Sequence, residues 1–247
     1  MSRLHESIMR VLLSDIVSGR VKVGGWLPRE TDIAGQFGVS RGVARECIRG
    51  LEERGMVTVK HGRGATVKPE DRWNVLDPDV LGALLDSGGG AAILREYLES
   101  RRILEIAAAG LAAERAEPAH LTALSDAFDR MVETADRAAD NPAAEDLYHE
   151  ADIAFHRALI DATGNRALGS MTEPIHRALV AARRPLARPD ARLERSLPEH
   201  RRILTAVAQA EPEAARQAMR DHLLTVEAYL RDYAGDAAVT TDPAAGD

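Results

Sequence analysis

The sequence predicts a mainly α protein: an N-terminal winged helix-turn-helix followed by an all-α helical bundle. Three observations carry this. Residues 27–67 read as a helix, a tight turn, a second helix and a short two-stranded hairpin. From Ala91 to about Tyr233, apolar residues recur at helical spacing between proline and glycine breaks, with no alternating β pattern. Aromatic residues make up only 4% of the 247-residue chain, while alanine, leucine and arginine are abundant, a composition that favours helices.

Residues 3–19 place Leu4, Ile8, Leu12 and Ile16 one helical turn apart and end at Gly19, which predicts an amphipathic first helix. Residues 23–28 read as a loop with Trp26 as a plug. Ile33, Ala34 and Phe37 mark one face of a short helix closed by Gly38. In the next helix Val43, Cys47, Ile48 and Leu51 form an apolar face, and Arg41, Arg45 and Arg49 form a stripe on another. Ser40 stands at the N-cap position and Gly55 just past the C-terminus. Such a helix can bury one face and lay three guanidinium forks in a DNA groove, where they match phosphate or guanine edges. The bland alternative is a solvated surface helix. Residues 56–60 then have strand composition, His61-Gly62-Arg63-Gly64 makes a basic glycine turn, and residues 65–67 return as a second strand.

Residues 69–90 read as a linker carrying a short docking helix, capped by Asp77 with Pro78 at its first position and broken by the glycines at 88–90. Six helices follow, near 91–116, 118–139, 143–163, 165–184, 190–209 and 211–233. The expected organisation is a head at 1–68, the linker at 69–90, a helical body at 91–234 and a disordered tail at 235–247, where residues are small and polar.

The net charge of −7 conceals a division. Residues 1–68 hold 12 Lys/Arg against 7 Asp/Glu, and the remainder holds 20 against 32, so a +5 head precedes a −12 body. This fits DNA binding at one end. The single cysteine, Cys47, excludes a disulfide framework and points to the cytoplasm; it reads as a small buried hydrophobe, not a nucleophile. No apolar run is long enough to span a bilayer, and the N-terminus is not a signal peptide.

The body carries a second constellation. Asp152 and His156 share a helix face at i and i+4. His200 and His222 lie on the last two helices at similar distances from the Glu211-Pro212 turn, hence at similar height in an antiparallel pair. One carboxylate and three imidazoles could converge on a divalent cation, and that set suits Zn²⁺ foremost, then Ni²⁺, Mn²⁺ or Fe²⁺, better than Mg²⁺ or Ca²⁺. A lone helical histidine is ordinarily a surface or core residue, so spacing alone leaves this open. His5, His120, His149 and His176 have no such pattern.

The motifs LPRE, GVSRGVARECIRGLEERGMV and HGRGATV resemble the N-terminal domain of GntR-type bacterial transcription regulators. The resemblance implies a second helix in the major groove and a wing tip in the minor groove, with contacts from Ser40, Arg41, Gly42, Arg45, His61 and Gly62; Arg49 of the arginine stripe and Arg63 of the basic turn complete the expected DNA-facing set. Two positions depart from the family's usual LPSER: Arg29 replaces a capping serine and Thr31 a long cationic side chain. The segment Glu99 to Glu105, with Asp152-x-x-Phe155-His156, Gly164-Asn165, Glu199-His200 and His222-Leu223, resembles the FCD domain of the FadR subfamily, an all-α effector-binding and dimerising body. It implies Asp152, His156, His200 and His222 as metal ligands, Arg101 and Asn165 as effector contacts, and no acyl-CoA effector. The plain alternative for Arg101 is a surface pair with Glu105. The stretch WNVLDPDVL at 73–81 is similar to regulators that respond to sugar acids, including galactonate-type ones.

The expected function is therefore a homodimeric transcription regulator, a repressor of a catabolic operon. It would read a palindromic operator in double-stranded DNA under control of a small carboxylate bound at the metal. The alternatives are a metal sensor, a structural metal, or a metal-dependent hydrolase or isomerase fused to a DNA-binding head. No HExxH or comparable base-bearing motif supports the last.

Overall fold

The computed structural model describes residues 3–60, 62–87, 90–138, 142–183 and 190–239. It contains two compact units, Met1–Ile93 and Leu94–Asp247.

In the first unit, α1 (Arg3–Val17) buries Ile8, Met9, Leu12, Leu13 and Ile16, while Leu4 at its start stays exposed. The short α2 (Glu30–Phe37) buries Ile33 and ends at Gly38, whose φ of 65° places it in the left-handed region. Arg29 precedes α2 and has no lone pair to offer a helix N–H. The cap is held from the other side: the Asp32 carboxylate accepts the Arg29 N–H at 3.1 Å. Helix α3 (Arg41–Glu53) is capped by the Ser40 hydroxyl, which accepts the Val43 N–H at 3.3 Å, and buries Ala44, Cys47, Ile48 and Leu51. Gly55 then turns the chain at φ +73°.

Strands β1 (Val57–Lys60) and β2 (Gly64–Val67) pair antiparallel, with Val57 opposite Val67 and Lys60 opposite Gly64. The segment around Trp26 is not a plugged loop. It runs along the other edge of β2 through a bridge between Trp26 and Thr66, with the Leu27 N–H donating to the Ala65 carbonyl at 2.9 Å. The Trp26 side chain is 49% exposed and lies beside Gly64 with the Lys60 amine 5.7 Å from its ring. A 3-10 turn at Glu70–Arg72 leads to α4 (Pro78–Asp86), capped by Asp77. Helix α4 packs on α1 and adds Val80 to the same core as Trp73 and Leu12. Arg54 ties it down through Asp77 at 3.1 Å and Asp79 at 2.7 Å.

The second unit is made of α5 (Gly90–Arg115), α6 (Pro118–Ala138), α7 (Pro142–Asp161), α8 (Arg166–Arg183), α9 (Asp190–Ala208) and α10 (Pro212–Val239). Among the described residues it contains no strand. Helices α6 and α7 pack together, as do α9 and α10, with α9 also against α6 and α8 against α7. Phe128, Met131, Tyr148, Phe155, Leu159, Ile203 and Met219 fill the core. The helix α10 continues to Val239, beyond the expected start of a disordered tail at 235; residues 240–247 lie outside the described ones.

Candidate metal centre and nucleic-acid interface

Three helices of the second unit place the four predicted ligands together. Asp152 and His156 come from α7, one turn apart, His200 from α9 and His222 from α10. All four are buried, and one ligand atom from each falls within 4.8 Å of the others. His200 Nε2 lies 3.2 Å from Asp152 Oδ1 and 3.3 Å from His156 Nε2, with His156 Nε2 to Asp152 Oδ1 at 3.9 Å. A tetrahedron built on metal–nitrogen bonds of about 2.0–2.1 Å has edges of about 3.3–3.4 Å. Two of the three separations match that edge, and the third is longer.

The opposite side of two of the imidazoles is anchored by a hydrogen bond, and that of the third lies against a carboxylate. His200 Nδ1 stands 2.8 Å from the Ser196 carbonyl, which can only accept, so the proton is on Nδ1. The Ser196 hydroxyl in turn accepts from Tyr148 at 2.9 Å. His222 Nδ1 meets Glu199 Oε2 at 3.0 Å, and the second oxygen of Glu199 accepts from Thr225 at 2.8 Å. His156 Nδ1 lies 2.7 Å from Glu105 Oε2, at hydrogen-bond length though not well aligned. With protons on Nδ1, all three Nε2 lone pairs are available to the same small volume, the arrangement that metal-bound histidines use. His222 Nε2 is buried and has no hydrogen-bond partner. An acceptor left without a donor in a protein interior is costly, and a cation among these atoms relieves it.

Electrostatics agree. Burial pushes His156 down from 6.5 to about 4, with the Arg101 guanidinium adding to the fall. Burial also drives His222 well below its ordinary value, helped by His200, His156 and Arg101. Neutral imidazoles are what a metal needs.

Arg101 is 2% exposed, so it is not the surface residue of the plain alternative. Its Nε donates to Glu105 Oε1 at 2.7 Å, while its Nη1 is buried with no hydrogen-bond partner. Burial pushes Glu105 up, but Arg101, His156 and His176 outweigh it and hold the carboxyl well below the usual range. Asn165 does not join this cluster. It is exposed, and its side-chain oxygen caps α8 by accepting the Ala167 and Leu168 N–H groups at 3.1 and 3.3 Å. Conversely, His176, which had no pattern in the sequence, is buried with Nε2 2.6 Å from Glu105 Oε1. Glu105 and Glu199 were visible only as neighbours within motifs.

In the first unit, Arg41, Gly42, Arg45 and Arg49 are exposed on α3. Arg45 makes a two-pronged pair with Glu30, with Nε and Nη2 each 3.1 Å from a carboxylate oxygen, and Arg49 pairs with Glu53 at 3.1 Å. Arg41 has no such partner among the described residues. Gly62 and Arg63 are exposed at the wing turn; His61 lies outside the described residues.

Residues 4–67 match the family described as bacterial regulatory proteins, gntR family, and residues 96–225 match the FCD domain. The galactonate operon transcriptional repressor of Escherichia coli is 31% identical over 86% of this chain and 90% of its own length. The regulator LutR of Bacillus subtilis is 33% identical over 88% and 97%. This chain belongs to the gntR family of bacterial regulatory proteins. It is of the FadR type, with an FCD body, and it is a DNA-binding transcription regulator, not an enzyme. A solved structure titled for Lar control of the Listeria monocytogenes agr system covers 94% of this GntR regulator and 98% of that chain. Its TM-score is 0.62 at 19% identity, a likeness of fold. No helix among the described residues is long and apolar enough to cross a membrane.

Proposed function

We propose that this GntR regulator is a homodimeric repressor of a catabolic operon, and that a small carboxylate of the sugar-acid class controls its operator affinity. The acid would bind beside a divalent metal held by Asp152, His156, His200 and His222. The carrying observation is the buried cluster itself: Asp152, His156, His200 and His222 each bring a ligand atom within 4.8 Å of the others, with His156 and His200 Nε2 facing the same Asp152 oxygen. Three nitrogens and one oxygen of this size suit Zn²⁺ first, then Ni²⁺, Mn²⁺ or Fe²⁺.

Two observations favour an organic acid over a metal acting alone as the signal. The buried Arg101 has an unpartnered Nη1, and a guanidinium is the natural partner of a carboxylate. One relative is a galactonate operon repressor, which is also the support for repression. In the head, Ser40, Arg41, Gly42, Arg45 and Arg49 would enter the major groove, and the wing residues His61, Gly62 and Arg63 the minor groove. Two heads related by two-fold symmetry would read a palindrome. The FCD body, near residues 91–234, would supply effector binding and dimerisation, joined to the 1–68 head through 69–90.

The test is selection of a duplex from a random pool by Zn²⁺-loaded protein, followed by release with aldonates, uronates and simple hydroxy acids. A two-fold symmetric site should emerge, and one acid class should weaken binding at least about tenfold, a coupling of about 1.4 kcal/mol, only in metal-loaded protein. Operator binding that follows Zn²⁺ alone and ignores every acid would replace this with a metal sensor.

A further inference from the structure

Glu105 touches both the metal-ligand cluster and Arg101. It sits on α5 with no exposed surface. Oε1 takes Arg101 Nε at 2.7 Å and His176 Nε2 at 2.6 Å, and Oε2 lies 2.7 Å from His156 Nδ1. The two hydrogen bonds come from α5 and α8, and the close approach at Oε2 from α7. A carboxylate in a dry interior persists only when polar partners offset its lost hydration, and here one of its two hydrogen-bond donors, Arg101, is permanently charged. Two consequences follow. Oε2 and His156 Nδ1 approach to 2.7 Å without the alignment of a hydrogen bond, yet two lone pairs at that distance repel, so the proton of the neutral ring belongs on Nδ1. His156 is therefore held as the Nδ1–H tautomer, with its Nε2 lone pair facing Asp152 and His200. Arg101, tied at Nε to the same carboxylate, cannot turn its fork over, and Nη1 is the edge left without a partner.

We propose that Glu105 is a positioning residue that fixes the metal ligand His156 and the acid clamp Arg101 together, so that the two binding events are coupled through one side chain. This rests on the metal-centre reading above. With Nε2 of His156 engaged, its Nδ1–H becomes a stronger donor, Oε2 is held more tightly, and Oε1 orients Arg101 more rigidly. By linkage, an anion on Arg101 favours the metal by the same factor. His176 braces Oε1 from the third side.

The test uses the full-length protein, Zn²⁺ alone as the probe, and Glu105→Gln, which keeps the size but offers one acceptor oxygen in place of two. Nitrogen-15 histidine spectra of chelated wild type above pH 7 should report His156 as Nδ1–H. Adding Zn²⁺ should shift the Arg101 Nε–H resonance in wild type and not in Glu105→Gln, and Zn²⁺ affinity by chelator competition should fall about 10- to 100-fold in that variant. His176→Gln leaves Oε2 untouched and should stay near wild-type affinity. Finding His156 as Nε2–H in wild type overturns the proposal without recourse to any variant. A folded Glu105→Gln with wild-type Zn²⁺ affinity and an undiminished Arg101 shift also overturns it, and leaves the metal reading standing. Wild type that binds Zn²⁺ no better than His200→Ala overturns both.

Discussion

At the scale of single residues, the body is organised by where protons sit. His200 and His222 have hydrogen-bond acceptors at Nδ1, His156 Nδ1 lies against Glu105, and the ligand carboxylate, Asp152, faces Nε2 of His156 and His200. Burial supplies the neutral state that ligation requires, and this has a measurable consequence. Between pH 6.5 and about 4 the unfolded His156 binds a proton that the folded one refuses. The unfolded state therefore gains as pH falls through that window, and folding stability is lost with it; above 6.5 the group is neutral in both states and contributes nothing. His222 acts in the same direction. The melting temperature of chelated protein should fall as pH drops from 7 towards 4.5, and His156→Gln should fall less steeply. Equal slopes for the two proteins would show that burial of this imidazole does not govern the acid limb. What the sequence could show of this site was the i, i+4 pair and the matched heights of His200 and His222. It could not show Glu105, His176 or Glu199 as partners, because those contacts join residues 23 to 71 positions apart or depend on which face of a long helix is buried. For Asn165 the sequence could not show the local role it takes, a cap on α8.

At the scale of elements, the helices were legible because punctuation and periodicity agree. Proline opens α4, α6, α7 and α10, glycine closes α2, and Ser40 caps α3. The strand-like pairing of Trp26 was not legible: a single bridge beyond β2 depends on tertiary proximity and has no alternating pattern of its own. Gly55 links α3 to β1 at φ +73°, and a Cβ there would lie 2.4 Å from the Arg72 carbonyl oxygen. Gly55→Ala should therefore destabilise the head by about 1–3 kcal/mol, by left-handed strain plus overlap. Ser40→Ala removes only a cap and should cost about 1 kcal/mol. Urea melts of the full chain, with Zn²⁺ present to hold the body constant, read both; a larger loss for Ser40→Ala would contradict this ranking.

At the scale of the whole molecule, the division into a +5 head and a −12 body confines DNA attraction to one part of the chain. Arg41 is the exposed guanidinium of the α3 stripe without an internal partner among the described residues. Arg41→Ala should weaken operator binding by about 1–3 kcal/mol if it reads a base, and should lower the salt slope by about one if it meets a phosphate. Fluorescence titration at several salt concentrations separates the two. The measurement that bears most directly on acid control through a metal is thermal melting of wild type and His200→Ala. Each would be run chelated, with Zn²⁺, and with Zn²⁺ plus a panel of aldonates and other small carboxylates. Ligands that bind the folded state raise the melting temperature by mass action. The expected result is a rise with Zn²⁺ and a further rise with one acid class in wild type, both lost in His200→Ala. An acid that stabilises chelated wild type and the variant as well as the metal-loaded protein would contradict a metal-dependent effector site.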